Sequence, residues 1–255
     1  MKIFSLTKKD ILITMSAFLI ATAALGLGTV TVNKAITAAN TKRDIPIYSV
    51  ETDEKKVAIS FDAAWGNEQT PELLRILEEY DVKATFFLVG QWVDKYPQSV
   101  KDIASKGHDV ENHSDTHAHM TNLSTADMKK EVTNCNDKIK AITGKCPTLF
   151  RPPYGDYNND VVGVVKSTDM YCIQWDVDSL DWKDLSAAQI TERITSKITN
   201  GSIVLLHNGA KNTPAALPSI IEGIRAQGYE LVPISELVPK GEYTTDHEGR
   251  MHLSE

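Results

Sequence analysis

The stretch Val57-Ala58-Ile59-Ser60-Phe61-Asp62 is a short, largely apolar run that ends on a carboxylate. Ser202-Ile203-Val204-Leu205-Leu206-His207 repeats this pattern far along the chain, with a histidine in the last position. Runs of this kind are typical of strands in a parallel sheet, which are buried on both faces. Polar side chains at the ends of successive strands predict a shared site at one edge of the sheet.

Further strand-like runs accompany these two, and longer amphipathic stretches separate them. The predicted strands are 57–62, 84–89, 109–113, 149–153, 171–177, 202–207 and 229–234. The predicted helices, with starts such as Thr70-Pro71-Glu72 and Ser124, are 70–80, 97–106, 124–142, 158–168, 186–199 and 214–227. This alternation implies a parallel sheet, and polar strand ends favour a barrel over an open doubly wound sheet. We therefore predict an α/β fold with a single distorted (β/α)7-8 barrel.

The N-terminal region predicts a membrane segment. The chain has 255 residues, of which 42% are hydrophobic, and this is enough for one large domain with a sizeable core. Residues 11–32 form an uncharged, mostly apolar run of 22 residues with lysines on both sides, long enough to span a bilayer. We predict an uncleaved signal anchor within residues 1–39, with the folded domain outside the cell membrane. Thr37-Ala38-Ala39 also permits cleavage, which would make the domain a secreted one.

The remaining chain divides into three parts. Residues 40–56 are interpreted as a stalk, residues 57–238 as the folded domain and residues 239–255 as a polar tail. Residues 1–39 hold four lysines and one aspartate, so residues 40–255 carry 23 basic and 33 acidic side chains and a net charge of −10. This acidity argues against nucleic acid as a partner.

The cysteine pattern gives little support for a disulfide or a metal motif. The three cysteines, Cys135, Cys146 and Cys172, cannot all pair within one molecule, and none has Cys-x-x-Cys spacing. A Cys135–Cys146 bridge stays open. The preferred interpretation of all three is a small apolar residue in or near the core.

Two histidines suggest a metal site. In Asn112-His113-Ser114-Asp115-Thr116-His117, two imidazoles lie four residues apart directly after a predicted strand. On a helical turn this spacing puts both rings within reach of one cation, and Zn²⁺ or a similar metal prefers such nitrogen ligands. The alternative is a polar loop with solvated histidines, because a catalytic zinc normally takes three side-chain ligands.

Two further strand ends offer groups for acyl chemistry. Asp62 would emerge at the barrel mouth, where a carboxylate can take a proton from an attacking water. Arg151 ends another strand and could hold Asp62 oriented and ionised. Two prolines then stiffen the approach to the Tyr154 amide, a candidate donor to an oxyanion. The alternative interpretations are that Asp62 is an ordinary turn residue and that Arg151 is a surface residue beside a turn.

A carboxylate and a histidine could together form a general acid. Asp178-Ser179-Leu180-Asp181-Trp182 offers two carboxylates close to an aromatic ring, and His207 ends an almost purely apolar strand. A carboxylate that holds one imidazole nitrogen raises the pKa of the histidine and orients it. We predict that Asp181 and His207 form this pair, with a structural histidine as the alternative.

In chain order, these groups resemble the five motifs of the NodB-type polysaccharide deacetylases, carbohydrate esterase family 4. The likeness covers about residues 55–238 and is carried by Phe61-Asp62, His113-Ser-Asp-Thr-His117, Arg151-Pro-Pro-Tyr154, Asp178-Ser-Leu-Asp181-Trp182 and Leu205-Leu-His207. Phe61-Asp-Ala-Ala-Trp-Gly66 and the anchor are most similar to the membrane-anchored sporulation deacetylases of spore-forming bacteria. The resemblance implies a NodB homology domain that removes acetyl groups, with a metal, from N-acetylated sugars of peptidoglycan or chitin-like polymers.

The resemblance also implies three kinds of site residue: proton carriers with their charge partners, ligands of Zn²⁺ or another divalent metal, and residues around the acetyl group. The proton carriers are Asp62 and His207, with Arg151 and Asp181 as their charge partners. The metal ligands are His113 and His117. The acetyl group is surrounded by the Tyr154 backbone, Trp182 and Leu205. The family's third metal ligand corresponds to Ala63, whose methyl group cannot bind a cation. Asp115, His119 or water could replace it, or Asp62 could turn to bind the metal.

Three functions remain open from the sequence. The first is metal-dependent deacetylation of an N-acetylated wall polysaccharide by a membrane-anchored enzyme. The second is a wall-binding protein that kept the sugar groove and lost catalysis. The third is a glycosidase that uses Asp62 and Asp178 as acid and base, although such an enzyme does not call for two spaced histidines. Trp65, next to the altered motif, could stack on a sugar ring or pack in the protein.

Overall fold

A computed structural model describes residues 43–253 as a parallel sheet flanked by helices. The strands are β1 (Ser49–Val50), β2 (Lys56–Ala63), β3 (Thr85–Leu88), β4 (Asp109–Asn112), β5 (Leu149–Phe150), β6 (Tyr171–Cys172), β7 (Val177–Asp178), β8 (Ile203–His207), β9 (Glu230–Leu231), β10 (Tyr243–Thr245) and β11 (Arg250–Leu253). The α-helices are Thr70–Glu79, Gly90–Lys95, Pro97–Ser105, Thr125–Thr143, Asn159–Lys166, Ala187–Thr195, Thr213–Ala226 and Ile234–Leu237. The α/β class and the parallel sheet agree with the sequence-based prediction.

The main sheet is a half-barrel. Its strands follow the order β6-β5-β4-β3-β2-β8-β7, and β9 pairs with the start of β2. Among the described residues β6 and β7, the ends of this path, do not pair with each other. The predicted strand 171–177 is wrong in this respect, because it divides into β6 and β7, which pair with β5 and β8. The intervening residues carry the chain from one end of the sheet to the other, so the barrel does not close.

The strand register brings the predicted site residues to one edge. Asp62 in β2 lies opposite His207 in β8. Strands β2, β3, β4 and β5 are aligned side by side at their carboxyl ends. His113 directly follows β4, and Arg151 directly follows β5. Because all these strands are parallel, the four side chains reach the same edge of the half-barrel.

Strand β2 alternates between two environments. Ile59, Phe61 and Ala63 are completely buried in the core cluster that also contains residues of the surrounding helices. Asp62, between two of these positions, therefore faces the interior of the half-barrel. Burial of each large side chain of this kind contributes roughly 1.5–3 kcal/mol, so the outer face of β2 is a major stabilising contact.

The helix starts follow from local capping. The Ser124 side chain accepts a hydrogen bond from the Asp127 N–H, and Ser186 and Gln189 form a reciprocal capping box. Each cap stabilises its helix by about 1 kcal/mol. Gly144 ends the long helix Thr125–Thr143 in the left-handed conformation, at a φ of 73°.

The segments predicted as a stalk and a loose tail are wrong for the described residues. Ile47 is completely buried and bridges to Ile173. Strand β1 pairs in parallel with β11, and β11 pairs antiparallel with β10. These strands are only two to four residues long and carry polar side chains, so they lack the apolar runs that identified the central strands.

The membrane and disulfide predictions have different outcomes. In residues 43–253 no helix is both long and apolar enough to cross a bilayer, and the predicted anchor over residues 11–32 lies outside this described part. All three cysteines are free thiols, so Cys135 and Cys146 form no bridge. Cys135 and Cys172 are buried, as expected, whereas Cys146 is exposed.

Candidate active site

A cavity of about 420 Å³ opens at the carboxyl edge of the half-barrel. It is lined by Asp62, Ala64, Trp65, His113, His117, Tyr154, Trp175, Asp178, Trp182, Leu205 and His207. The set includes every predicted site residue except Arg151 and Asp181, which contact Asp62 and His207 from behind. The structure therefore brings together groups that are far apart in sequence.

Asp62 and Arg151 form a buried ion pair. Nη1 of Arg151 donates to Oδ1 of Asp62 at 2.7 Å. Burial is the largest influence and opposes ionisation of Asp62, but the charge and hydrogen bond of Arg151 together with His113 and His207 outweigh it and leave the pKa of the carboxyl below its ordinary value. The pair therefore keeps Asp62 ionised and fixes its orientation.

The guanidinium of Arg151 is held on several sides. It lies 4.1 Å from the ring centre of Phe87 and 5.6 Å from that of Trp175. Nη2 donates to the carbonyl oxygen of Gln174 at 3.1 Å. Burial lowers the pKa of Arg151 from its ordinary value, and the Asp62 charge acts against this shift. A side chain enclosed in this way presents one fixed donor to Asp62.

Asp181 and His207 form the second charge pair. Oδ1 of Asp181 accepts a hydrogen bond from Nδ1 of His207 at 2.7 Å. Oδ2 accepts from the backbone N–H of His207 at 2.8 Å and from the Thr213 hydroxyl at 2.7 Å. Burial is the largest influence and disfavours the protonated imidazole, but the bond to Asp181 and the charges of Asp181, Asp62 and Asp178 together outweigh it, so the pKa of His207 lies above its ordinary value. Because Nδ1 is engaged, Nε2 is the nitrogen left for a substrate.

The two predicted metal ligands meet in the same cavity. The rings of His113 and His117 have centres 5.0 Å apart. Nδ1 of His113 is 2.7 Å from the Arg151 carbonyl oxygen, so the ring donates there and its Nε2 faces Asp62 Oδ2 at 3.5 Å. Burial lowers the pKa of both imidazoles, that of His117 to about 4. Both rings are therefore neutral near pH 7, which is the form that binds metals.

Residues 43–253 offer no third side-chain ligand beside these two histidines. In the described part of the chain, no group of three His, Cys, Asp or Glu side chains has the arrangement of a metal site. Ala63 is completely buried in the core cluster and does not line the cavity. His113 and His117 thus fit a divalent metal as two nitrogen ligands, but the three-ligand set of a catalytic zinc is incomplete.

The substitutes considered from the sequence are engaged elsewhere. Asp115 accepts from Nζ of Lys138 at 2.6 Å, away from the cavity lining. The His119 ring stacks on Tyr154, with centres 4.1 Å apart. Neither side chain lines the cavity, and Asp62 remains bonded to Arg151.

Aromatic side chains form the rim. Trp65, Tyr154 and Trp182 are three of the four exposed large hydrophobic residues of the described structure, and all three line the cavity. Tyr154 follows Pro152 and Pro153 and has a left-handed backbone, with a φ of 61°. For Trp65, left open between sugar stacking and packing, its exposure favours contact with a ligand. Its place directly after β2 was the sequence signal for this position.

Trp175 lines the cavity although it lies in none of the five motifs. It belongs to the crossing segment between β6 and β7 and lines the cavity while facing Arg151. The sequence pattern predicted residues 171–177 as one strand, which includes Trp175. Only the division of residues 171–177 into two strands brings this ring to the mouth.

The structure is an α/β half-barrel with a cavity at the carboxyl ends of its strands, and charged groups and aromatic rings line this cavity. Residues 49–173 match the family model described as polysaccharide deacetylase. The chain is 33% identical over 196 residues to a peptidoglycan-N-acetylglucosamine deacetylase of Bacillus cereus. The alignment covers 75% of this chain and 92% of that protein. The chain therefore belongs to the polysaccharide deacetylase family, carbohydrate esterase family 4, as its motifs predicted.

Other relatives differ in length and in activity. The chain is 35% identical over 206 residues to the peptidoglycan-N-acetylglucosamine deacetylase PgdA of Listeria monocytogenes. This alignment covers 81% of this chain and 43% of that protein. The chain spans 40% to 60% of the length of several such relatives. A crystal structure of a family 4 pseudoenzyme from Bacillus anthracis superposes with a TM-score of 0.73 at 38% identity, covering 75% of this chain and 68% of that one. A mutant of the same pseudoenzyme has restored enzymatic activity.

Proposed function

We propose that this protein hydrolyses the N-acetyl amide of amino sugars in a cell-wall polysaccharide of the peptidoglycan type. The observation that carries the proposal is the presence of two charge pairs, Asp62–Arg151 and Asp181–His207, at one cavity. Amide hydrolysis requires a base that activates water and an acid that protonates the leaving amine. The pKa shifts of both groups favour these roles, since that of Asp62 is lowered and that of His207 is raised.

Asp62 is the proposed base. Its ionised carboxylate would take a proton from the water that attacks the acetyl carbonyl, a contribution of about 10²–10⁴ in rate for a well-placed base. Arg151 maintains the charge and direction of the carboxylate. The backbone of Tyr154, held in its left-handed turn after the prolines, would donate to the oxyanion that develops.

His207 is the proposed acid. Asp181 binds its Nδ1 and raises the pKa of the ring, so the protonated form persists to higher pH than in a free histidine. Nε2 would then deliver a proton to the sugar nitrogen as the amide bond breaks. Leu205 and Trp182, both in the cavity lining, would contact the methyl group of the acetyl.

The rim suits a sugar polymer. Three exposed aromatic rings surround a cavity that is open to solvent, and aromatic faces pack well against the apolar faces of sugar rings. Relatives with 33% to 35% identity are named peptidoglycan deacetylases, which supports a wall polymer as the substrate class.

A divalent metal such as Zn²⁺, held by His113 and His117, is part of the proposal. When bound, it would supply Lewis-acid polarisation of the acetyl carbonyl. His113 is oriented for this task by the Arg151 carbonyl oxygen, a typical support of a metal-binding imidazole. With two side-chain ligands instead of three, we expect weak affinity and activity that rises with added metal.

The test is acetate release by the full-length chain from purified peptidoglycan, with added zinc and with a chelator. We expect release with zinc, little release with chelator, and loss of release in His113→Ala. His247→Ala is the matched control, because the His247 side chain is 89% exposed and does not line the cavity. Absence of acetate release under all metal conditions would reject the enzymatic proposal.

A second candidate is a wall-binding protein without turnover. The observation that favours it is the buried Ala63 with no third ligand among the described residues, together with a pseudoenzyme relative at 38% identity. Binding of peptidoglycan without acetate release would support this function. The glycosidase alternative has less support, because Arg151 and His113 rather than a second carboxylate contact Asp62.

The proposal includes the location of the enzyme. The apolar run over residues 11–32 supports a single-pass anchor in the cell membrane with the catalytic domain outside, next to the wall. The likeness of residues 61–66 to sporulation deacetylases supports a role in spore formation. Membrane fractionation of growing and sporulating cells tests both points.

A further inference from the structure

A second hollow lies beside the active-site cavity and has no role in the mechanism above. Its volume is about 290 Å³, and it is lined by Ala64, Trp65, Gly66, Gln91, Trp92, Lys95 and Tyr96. Ala64 and Trp65 also line the active-site cavity. Trp65 therefore lies between the cavity and the hollow, and a polymer bound in one can extend into the other.

The turn that presents Trp65 is fixed from below. Nε1 of the buried Trp92 donates to the carbonyl oxygen of Gly66 at 2.6 Å. Gly66 adopts a φ of 62°, which favours glycine, and Nδ2 of Asn208 lies 3.4 Å from the same oxygen. The Trp65 ring is 59% exposed and meets His117 edge-on, with centres 5.1 Å apart. A large, exposed ring on a fixed turn is a platform for a ligand rather than a packing residue.

The far wall of this hollow carries a cation. Gln91 and Lys95 are one turn apart on the helix Gly90–Lys95, so both side chains can reach one ligand. Nζ of Lys95 is 5.1 Å from the ring centre of Tyr96 and, within residues 43–253, is in no ion pair. The neighbouring Glu68 carboxylate accepts instead from the Asn67 N–H at 3.0 Å. Lys95 interacts with the charge of Glu68 but forms no ion pair with it, so its ammonium group can still bind an anion in the hollow.

On the basis of the proposed function, we propose that this hollow binds the sugar next to the one that is deacetylated, and that Lys95 pairs with a carboxylate on that sugar. Trp65 would pack against the sugar ring, and Gln91 would donate to a neighbouring oxygen. The polymer would therefore be one in which N-acetylated amino sugars adjoin sugars that bear a carboxylate.

The overall charge supports a carboxylate on an otherwise neutral polymer. Residues 40–255 carry a net charge of −10, which repels a polymer with an anion on every unit. A single lysine with a neutral amide beside it suits one carboxylate at one position. The pair would select among sugars more than it would add affinity, because an exposed ion pair is weak.

The experiment compares two oligosaccharides of equal length in binding to the full-length chain by calorimetry. One is a neutral N-acetylglucosamine oligomer, and the other is a peptide-free glycan in which alternate sugars carry a carboxylate. For Lys95→Met we expect a three- to tenfold loss of affinity for the carboxylate glycan and no change for the neutral oligomer. Lys129→Met is the matched control, since Lys129 is an exposed lysine outside both cavities and its loss changes the net charge equally.

The outcomes separate this proposal from the proposed function. A selective loss in Lys95→Met that disappears in high salt supports the carboxylate contact. Equal affinity of wild type and Lys95→Met for both glycans overturns it, even if acetate release is normal. Binding of neither glycan by the wild type overturns both proposals. In Trp65→Ala, we expect weaker binding of both glycans, and unchanged binding would contradict the platform.

Discussion

The two sides of the active-site cavity differ in how completely their interactions are formed. On the acid side, the carboxylate of Asp181 accepts three hydrogen bonds, two from His207 and one from Thr213. On the other side, which we call the metal side after the proposed ligands, His113 and His117 face each other, and the residue next to Asp62 is the buried Ala63.

The two charge pairs, Asp62–Arg151 and Asp181–His207, are held by bonds within the protein, and the proposed metal ligand His113 bonds to the first pair through the Arg151 carbonyl oxygen. Asp62 is held by Arg151 and Asp181 by Thr213 and His207, and neither pair requires a cation to compensate its charge. Asp62 can therefore stay buried and ionised without a bound metal. A chain with weak metal binding can keep an intact acid and base.

The largest effect is expected from Asp62→Asn. It leaves the completely buried Arg151 without a counter-charge, and breaking a buried pair in this way costs about 3–5 kcal/mol. It also removes the proposed base, so acetate release should fall about 10²–10⁴-fold. Urea unfolding and an acetate assay measure the two effects. Asp127→Asn, on an exposed helix turn, is the control, and equal stability of the two variants would contradict a structural ion pair.

Asp181→Asn tests the acid side. The folded pKa of His207 is raised by Asp181, so the protonated acid is present below its ordinary pKa of 6.5 and is lost as pH rises through the higher folded value. Without the carboxylate charge, the alkaline limb of kcat/KM should move to lower pH, with a loss of about 10²-fold at its upper end. Thr213→Val removes one bond donated to Asp181 but leaves the carboxylate charge in place, so it should not move the limb to lower pH. An unchanged limb in Asp181→Asn would show that another group titrates.

Ala63→Asp tests the metal side. Because Ala63 is buried in the core cluster, we expect the added carboxylate to lower stability by about 1–3 kcal/mol without metal. If the carboxylate can reach the histidines, excess zinc should recover this loss by ligand linkage. Thermal unfolding with and without zinc measures both. Ala63→Asn adds a similar volume without charge, and the same response in both variants would mean that position 63 does not reach the metal.

The smallest effect is expected from Glu131→Gln, which concerns the loop before His117. The Glu131 carboxylate accepts from the backbone N–H groups of Asp115 and Thr116 and from the Thr116 hydroxyl. Its replacement should lower stability by about 1 kcal/mol and weaken zinc binding up to tenfold, while the pH limb of His207 stays in place. Calorimetric zinc titration is the measurement. Unchanged zinc affinity would show that this loop is fixed by other contacts.

The sequence predicted the regions with strong apolar runs most successfully. Strands β2, β3, β4 and β8 lie within one or two residues of their predicted bounds, because each is a buried run with a clear end. The short strands β1, β10 and β11 and the division of residues 171–177 were missed. In these segments pairing depends on distant partners, such as Ser49 with Arg250, that no local pattern encodes.

The candidate site follows the same rule. Asp62, His113, Arg151 and His207 were identified because each ends or follows a strand, and parallel strands share one edge. Trp175 and the hollow beside Trp65 could not be identified in this way. They arise from the crossing of the open half-barrel and from the packing of the turn after β2 on Trp92.

The sequence by itself determined the α/β class and the family, and it indicated the residues of the proposed acid, base and metal sites, because periodicity and motif order are read directly from the chain. Only the tertiary structure decided which of these residues contact the partners that their proposed roles require. Arg151 and Asp181 reach Asp62 and His207 from segments 89 and 26 residues away. Ala63 lies in the core, and Asp115 and His119 are engaged elsewhere. These outcomes depend on burial and on the direction of each side chain, which are fixed only when the sheet and helices pack.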